Sequence, residues 1–277
     1  MRLITIVLFL SVAVSLDAQE LYPFNDPASN LPAKSISVKL GTMYGKGVHD
    51  TRTLQRYMPA IMFGLNKKWM LAGNLGFGNM HEDKFYFESA RVYAKYRFLS
   101  KDEVHKHFRM AAFATAAYSR NHLDHNELTL WGDQSGVQAG LIATQLWHKF
   151  AISGSVSLLE VFDKLRSDKN LPQQYAFESV NYSLSAGYLL FPRTYSDYKQ
   201  TNLNLYVEML GGRNLDWKYE KHFLDIAPSV QLIFNSTGKL NIGYRFEVSS
   251  DIYRLMRNSF MVSYEHLFLN ALKKKKK

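Results

Sequence analysis

From residue 34 onward the chain alternates apolar and polar side chains with a period of two rather than 3.6. Val180, Tyr182, Leu184, Ala186, Tyr188 and Leu190 share one parity, and Asn181, Ser183, Ser185 and Gly187 share the other. A helix would scatter these residues around its circumference, whereas a strand sorts them onto two faces. The same sorting sets Leu203, Leu205, Val207 and Met209 against Asn202, Asn204, Tyr206 and Glu208. In residues 84–100, Tyr86, Ala90, Val92, Ala94, Tyr96 and Phe98 oppose Ser89, Arg91, Tyr93, Lys95 and Arg97, which makes one face apolar and the other cationic.

About twelve such segments are predicted, near 34–44, 55–65, 69–78, 85–98, 108–119, 136–147, 150–162, 177–190, 201–211, 223–234, 240–248 and 259–269. Tight turns at Asn66-Lys67-Lys68, Trp147-His148-Lys149 and Asn235–Lys239 alternate with longer polar connections at 45–54, 120–135, 163–176, 212–222 and 249–258. Three connections break the rhythm: 99–107 and 192–200 are long where short ones are expected, and 79–84 is short where a long one is expected. Tilted strands of about 9–11 residues cross a bilayer, and short turns on one side with long loops on the other mark a transmembrane β-barrel. Aromatics gather at both segment ends, with Trp69, Phe98, Trp147, Phe150 and Phe268 beside the short turns and Tyr44, Tyr57, Phe77, Tyr86 and Phe260 beside the long loops. Amphipathic rings favour a membrane–water interface, so two bands are expected. A secreted sandwich or lipocalin-like barrel would also alternate, but it would bury its apolar face and need no band at each end.

Composition narrows the class further. The 277 residues are 47% apolar and contain no cysteine, which excludes a disulfide framework, a thiolate zinc site and a catalytic thiol. No segment after residue 18 supplies the ~20 consecutive apolar residues of a spanning helix. Residues 1–18 read as a signal peptide, with Arg2, an apolar run from Leu3 to Leu16, and cleavage near Ala18. Residues 19–33 are expected to form a short periplasmic segment, 34–269 the barrel, and 270–277 a disordered lysine-rich tail. The net charge of +10 falls to +5 once Lys273–Lys277 are set aside, so the body is only mildly basic, and its scattered cations do not form a nucleic-acid groove.

The signal, the alternating strands and loops, and a last strand with Phe260, Val262, Tyr264 and Phe268 on one parity resemble Gram-negative outer-membrane β-barrel proteins. The resemblance spans nearly all of the exported chain and is architectural. It implies an all-β, up-and-down antiparallel barrel, most simply of 12 strands, in the bacterial outer membrane. It implies contact with outer-membrane lipid and lipopolysaccharide, and insertion by the barrel-assembly machinery. Such proteins commonly end on an aromatic read by that machinery, whereas here nine residues follow Phe268.

The polar parity supplies the candidate lumen. Lys39, Arg91, Lys95, Arg97, Arg109 and Arg245 are its basic members, and Glu208, Asp225 and Glu247 its acidic ones, with Arg56, Gln138 and Gln231 among them. A cationic wall around Arg91, Lys95 and Arg97 facing Glu208 and Asp225 would orient a small anionic or zwitterionic solute. The same residues paired with one another would instead plug the interior. His122, Asp124, His125 and Glu127 lie together in one long loop and offer ligands for a divalent transition metal, at no strict signature spacing. Glu88 and Glu160 fall on the apolar parity near the loop ends. Nothing calls for a cofactor. His266, on the apolar parity, has no serine paired with it by pattern, so no hydrolytic site is assigned. The expected function is a passive or weakly selective channel for small polar or anionic solutes. The alternatives are a plugged barrel acting through its loops, or an outer-membrane lipid-modifying enzyme.

Overall fold

Each of the twelve alternating segments is a β-strand in the computed structural model, which describes residues 22–48, 52–163, 175–192, 199–216, 219 and 221–273. In chain order they are β1 (Ser35–Lys46), β2 (Thr53–Gly64), β3 (Trp69–Gly78), β4 (Tyr86–Asp102), β5 (Lys106–Ser119) and β6 (Gly136–Trp147). There follow β7 (Phe150–Val161), β8 (Glu178–Phe191), β9 (Asn202–Asn214), β10 (His222–Phe234), β11 (Gly238–Ser250) and β12 (Asn258–Phe268). Every strand pairs antiparallel with its sequence neighbours, and β1 pairs with β12 to close the barrel. Closure leaves no exposed strand edge. The expected signal, residues 1–18, and Lys274–Lys277 of the expected tail lie outside the described residues.

The alternation sorts as expected. On β8, Ser179 and Ser185 are buried inside while Tyr182, Leu184 and Tyr188 are exposed on the outer wall. Val38, Leu40, Val92, Leu141, Val156, Val207 and Ile242 extend that apolar exterior around the barrel. Aromatic pairs cap it at both ends, Trp69–Tyr96 and Trp147–Phe150 beside the short turns, Tyr44–Tyr57 and Tyr57–Phe85 beside the long loops.

Tight turns follow from local chemistry. Asn66 Oδ1 accepts from the backbone N–H groups of Lys68 and Trp69, an Asx-type closure. His148, Asn235 and Ser236 take positive φ angles of 51°, 50° and 58°, the left-handed backbone that such short connections require. The connection at 99–107 proves short as well, because β4 runs on to Asp102, β5 starts at Lys106, and Glu103 N–H donates to the Lys106 carbonyl. A bulge between Arg97 and Leu99 absorbs the change of register. Much of the 192–200 connection lies outside the described residues.

A second bulge corrects the parity at the start of β4. Gly76 pairs with Ser89 but Phe77 pairs with Phe87, so one residue is inserted and the face flips. Phe87 therefore takes the outer aromatic position expected of Tyr86, meeting Phe77 at 5.6 Å, and Tyr86 bonds to Asn121 instead. Glu88, expected on the outer face, is fully buried inside, whereas Glu160 stays exposed near the end of β7. Residues 22–33, expected as a short segment ahead of the barrel, thread into it.

Candidate functional site

Residues 22–34 enter the lumen at the short-turn end and rise to its middle. Single side chains of the wall hold the segment's backbone. Thr144 accepts from Ala28 N–H at 2.8 Å, Glu208 accepts from Phe24 N–H at 3.0 Å, and Lys95 Nζ donates to the Pro27 carbonyl at 2.8 Å. Asn25 bonds to Ser185 at 3.1 Å, Ser29 accepts from the Arg109 guanidinium at 3.0 Å, and Asn30 reaches the Lys68 carbonyl at 2.8 Å. Three prolines at 23, 27 and 32 suit such an extended path, because they remove donors that a strandless segment could not satisfy. Tyr22 packs edge-on against Tyr206 at 5.4 Å, and Ala28 sits fully buried beside Ala111 and Ile142. The segment is a plug.

The opposite end is narrowed by charge. The loop 120–135 folds inward, burying Leu123, Leu128 and Leu130 against Leu159 and Val161 of β7. Fully buried Arg56 of β2 bonds to Glu88 and, at 2.7 Å, to Asp133 of that loop. Gly132 lies directly over this guanidinium at φ 136°, and a Cβ there would fall 2.6 Å from Arg56 Cζ, so only glycine lets the loop descend so close. Arg254, from the loop 251–257, clamps Glu127 and Asp225, and Arg245 of β11 joins both acids. Burial alone would raise the Glu127 carboxyl, but Arg245 and Arg254 overcome it and hold the group down to about 2. Burial opposes ionisation of Asp133 too, yet Arg56 and His81 keep it well below the usual carboxylate range.

Between plug and cap lies a cavity of about 320 Å³. Its walls differ. Met43 of β1, Met58 and Met62 of β2, Met70 of β3 and Met261 of β12 line four adjoining strands, with Met80 and Met256 added from loops. Seven of the ten methionines thus face one space. The facing wall is polar, with Thr115, Gln138, Ser157, Asn181 and Ser183 on β5 to β8. Arg91 stands at the seam, its guanidinium 3.6 Å from the Trp131 ring centre and 5.6 Å from that of Tyr93.

The candidate residues separate accordingly. Lys39 and Arg91 line the cavity, and Arg97 keeps the same β4 face nearer the short turns. Lys95 and Glu208 hold the plug, and Arg109 bonds to Ser29 and to Asp102. Arg245, Asp225 and Glu247 belong to the cap, where Arg254 reaches Glu247 at 3.4 Å. The two walls of opposite charge anticipated from sequence are therefore not left facing each other across water, since Glu208 and Asp225 are each occupied locally.

The loop cluster regroups. Asp124 and His125 meet His81, from the 79–85 loop, with ligand atoms within 4.8 Å of one another, while His122 stands apart and Glu127 is committed to the arginines. His81 donates at 3.0 Å to both Asp124 and Asp133. Burial disfavours its charge, but these two carboxylates raise it to about 9. At neutral pH the cluster is thus a protonated hydrogen-bond network with both ring nitrogens of His81 engaged.

Sequence reading missed three contributors: the plug, the Arg56–Glu88–Asp133 group and the methionine wall. Met43, Met58, Met62, Met70 and Met261 all sit on the parity opposite the lipid-type residues, so the wall was open to a count by face.

No protein-family model matches the chain, and no curated protein matches it. Solved structures do. An outer membrane channel from Pseudomonas putida F1 superimposes with a TM-score of 0.59 at 14% identity, over 90% of this chain and all of that one. The KdgM porin aligns at 0.49 and 9% identity over 84% of this chain and 99% of its own. The NanC porin aligns at 0.49 and 12% over 83% and 98%. At such identity the likeness to the Pseudomonas channel is one of fold.

Proposed function

We propose that this chain is an outer-membrane β-barrel channel for small polar or anionic solutes, held closed by its own N-terminal segment. The carrying observation is the inversion of an ordinary core. The exterior is apolar between two aromatic bands, while Ser185, Glu208, Gln231, Lys239, Asn241 and Glu265 are buried inside. Only a lipid surround makes such an exterior favourable. In this reading the short turns, the plug and both barrel termini face the periplasm, and the loops 79–85, 120–135 and 251–257 face outward. Cleavage near Ala18 would start the exported chain just before the plug. Lipid and lipopolysaccharide would then cover the outer wall, and the barrel-assembly machinery would insert it.

A second reading, a permanently closed barrel that acts through its loops, is favoured by the buried charge network of the cap. Planar-bilayer recording separates the two. Wild-type protein is expected to show small, interrupted conductance, and a variant lacking residues 22–31 a larger and steadier one, both first checked for heat-modifiable migration. Silence from both would overturn the channel and support the closed barrel.

A further inference from the structure

Most cations inside the barrel have an oxygen partner. Arg56 has Glu88 and Asp133, Lys239 has Glu265, Arg109 has Asp102, and Arg245 has Asp225. Arg91 is different. No hydrogen bond or ion pair reaches it among the described residues, and its Nε is buried with no acceptor. It rests instead on the Trp131 ring at 3.6 Å, half-buried at the border of the cavity. A ring face offers a cation partial compensation. It leaves the planar fork of N–H donors unused. A guanidinium partly withdrawn from water with its Nε unpartnered gains from a bound anion that completes it.

The space in front of that fork has a definite character. About 320 Å³ falls at the small end of ligand cavities. One side is the methionine wall. Thioether side chains are flexible and polarizable, and they adapt to an apolar body without a fixed shape. The charged end and the apolar side therefore specify two parts of one molecule.

We propose that the cavity binds a small carboxylate with an apolar body, its carboxylate paired side-on with Arg91 over Trp131 and its body laid against Met58, Met62 and Met70. The planar fork matches two carboxylate oxygens at once, which a lysine would not do. Asp26 of the plug lies within electrostatic range of Arg91 and lines the same cavity. It offers a weak substitute charge when the site is empty, and it opposes an incoming anion. The inference rests on the channel reading for the ligand's route inward, but binding itself needs no conduction.

Calorimetric titration of the full exported chain in detergent provides the test, with benzoate as probe and benzamide as its uncharged counterpart. Benzoate should bind at least about tenfold more tightly than benzamide, the ~1.4 kcal/mol that a charge-assisted pair readily supplies. Arg91→Gln should abolish that preference while leaving thermal unfolding unchanged or higher, since it removes a half-buried charge that makes no ion pair among the described residues. Asp26→Asn should leave benzoate affinity equal or improved. The paired change Met58→Gln with Met62→Gln should weaken benzoate severalfold without affecting acetate. Equal binding of benzoate and benzamide would overturn the proposal, as would a marked loss of stability in Arg91→Gln, which would make the residue structural. Weaker benzoate binding in Asp26→Asn would overturn the placement of the carboxylate at Arg91 beside Asp26. If Arg91→Gln fails to fold, the methionine pair still decides, because unchanged benzoate affinity there sinks the apolar-body half. A barrel that binds benzoate yet carries no current overturns the channel and keeps this site. A conducting barrel indifferent to benzoate does the reverse.

Discussion

The barrel is obstructed at both ends, by different physics. At the short-turn end, neutral backbone groups of residues 22–34 meet mostly single wall side chains, as with Ala28 N–H on Thr144 and Pro27 carbonyl on Lys95. At the loop end, Arg56 binds two carboxylates inside the protein and Arg254 three. A typical hydrogen bond contributes about 0.5–1.5 kcal/mol net, and ordering each plug residue costs about 1–2 kcal/mol in backbone entropy. These hydrogen bonds alone do not offset that ordering cost, and burial of Tyr22, Ala28 and Leu31 supplies the rest. The cap rests on charge instead, where breaking a buried ion pair by removing one partner costs about 3–5 kcal/mol. Two obstructions that look alike in outline thus differ in what holds them, and the N-terminal segment, which lies outside the cap's arginine–carboxylate network, is the one we expect to move.

The largest effect should come from the cap. Arg56→Met removes the shared partner of Glu88 and Asp133, leaving two buried acids without it. A loss of about 3–5 kcal/mol is expected, read as earlier unfolding in urea from detergent or lipid. A loss below about 1 kcal/mol, the range of an exposed pair, would mean that water already compensates these acids, and the contrast between the ends would collapse.

A smaller and different effect is expected at the plug. Thr144→Val keeps the shape but leaves Ala28 N–H without its acceptor, a local cost of about 1–3 kcal/mol. The barrel's unfolding should hardly move, because Ser153 Oγ, the hydroxyl's other partner, keeps the Ala143 carbonyl as acceptor and the remaining cost falls on docking of the segment. Conductance, or protease access to residues 22–31, should rise several-fold. If instead the whole barrel loses stability as Arg56→Met does, the plug is part of the folded core and not a gate.

The wall of the barrel was legible in the sequence, and its interior was not. Strand count and the facing of Leu184 against Ser185 follow from alternation, because one face is apolar and exposed and the other lines the interior. The misreadings fall where alternation carries no information. The bulge at Phe87–Glu88 sits in the run Phe85-Tyr86-Phe87, where either parity presents an aromatic, so only pairing with Phe77 fixes the face. Residues 22–33 show no period at all, and nothing local distinguishes a chain lying below a barrel from one inside it. The site residues emerge as a set, since parity selects them, but their partners come from loops and from the plug. Asp225 meets Arg254 across 29 positions of sequence, and Arg56 meets Asp133 across 77. Spans of that size are set by the closed barrel and are not readable from local pattern.

The smallest effect separates the ends by pH. His81 is raised from about 6.5 to about 9 by Asp124 and Asp133, against the opposing effect of burial. A group whose pKa is higher folded than unfolded contributes fully below its unfolded value, and that contribution fades as pH rises through the folded one. The anchor between the 79–85 and 120–135 loops should therefore be intact at about pH 6 and loosen between about 6.5 and 9. Glu127 runs the other way. Held down to about 2 from 4.5, it contributes above 4.5 and loses that contribution as pH falls through about 2. The cap is thus tightest between these two windows. In the plug, Pro27, Ala28, Ser29 and Asn30 meet Lys95, Thr144, Arg109 and the Lys68 carbonyl. None of those groups ordinarily titrates between about pH 6 and 9. Hydrogen exchange at about pH 6 and about pH 9, corrected for intrinsic rates, should show several-fold faster exchange in 120–135 at the higher pH and no change in 28–31. His81→Gln should remove the difference in the loop. Equal pH dependence at the two ends would show that they open together, and the plug would then not be an independent gate.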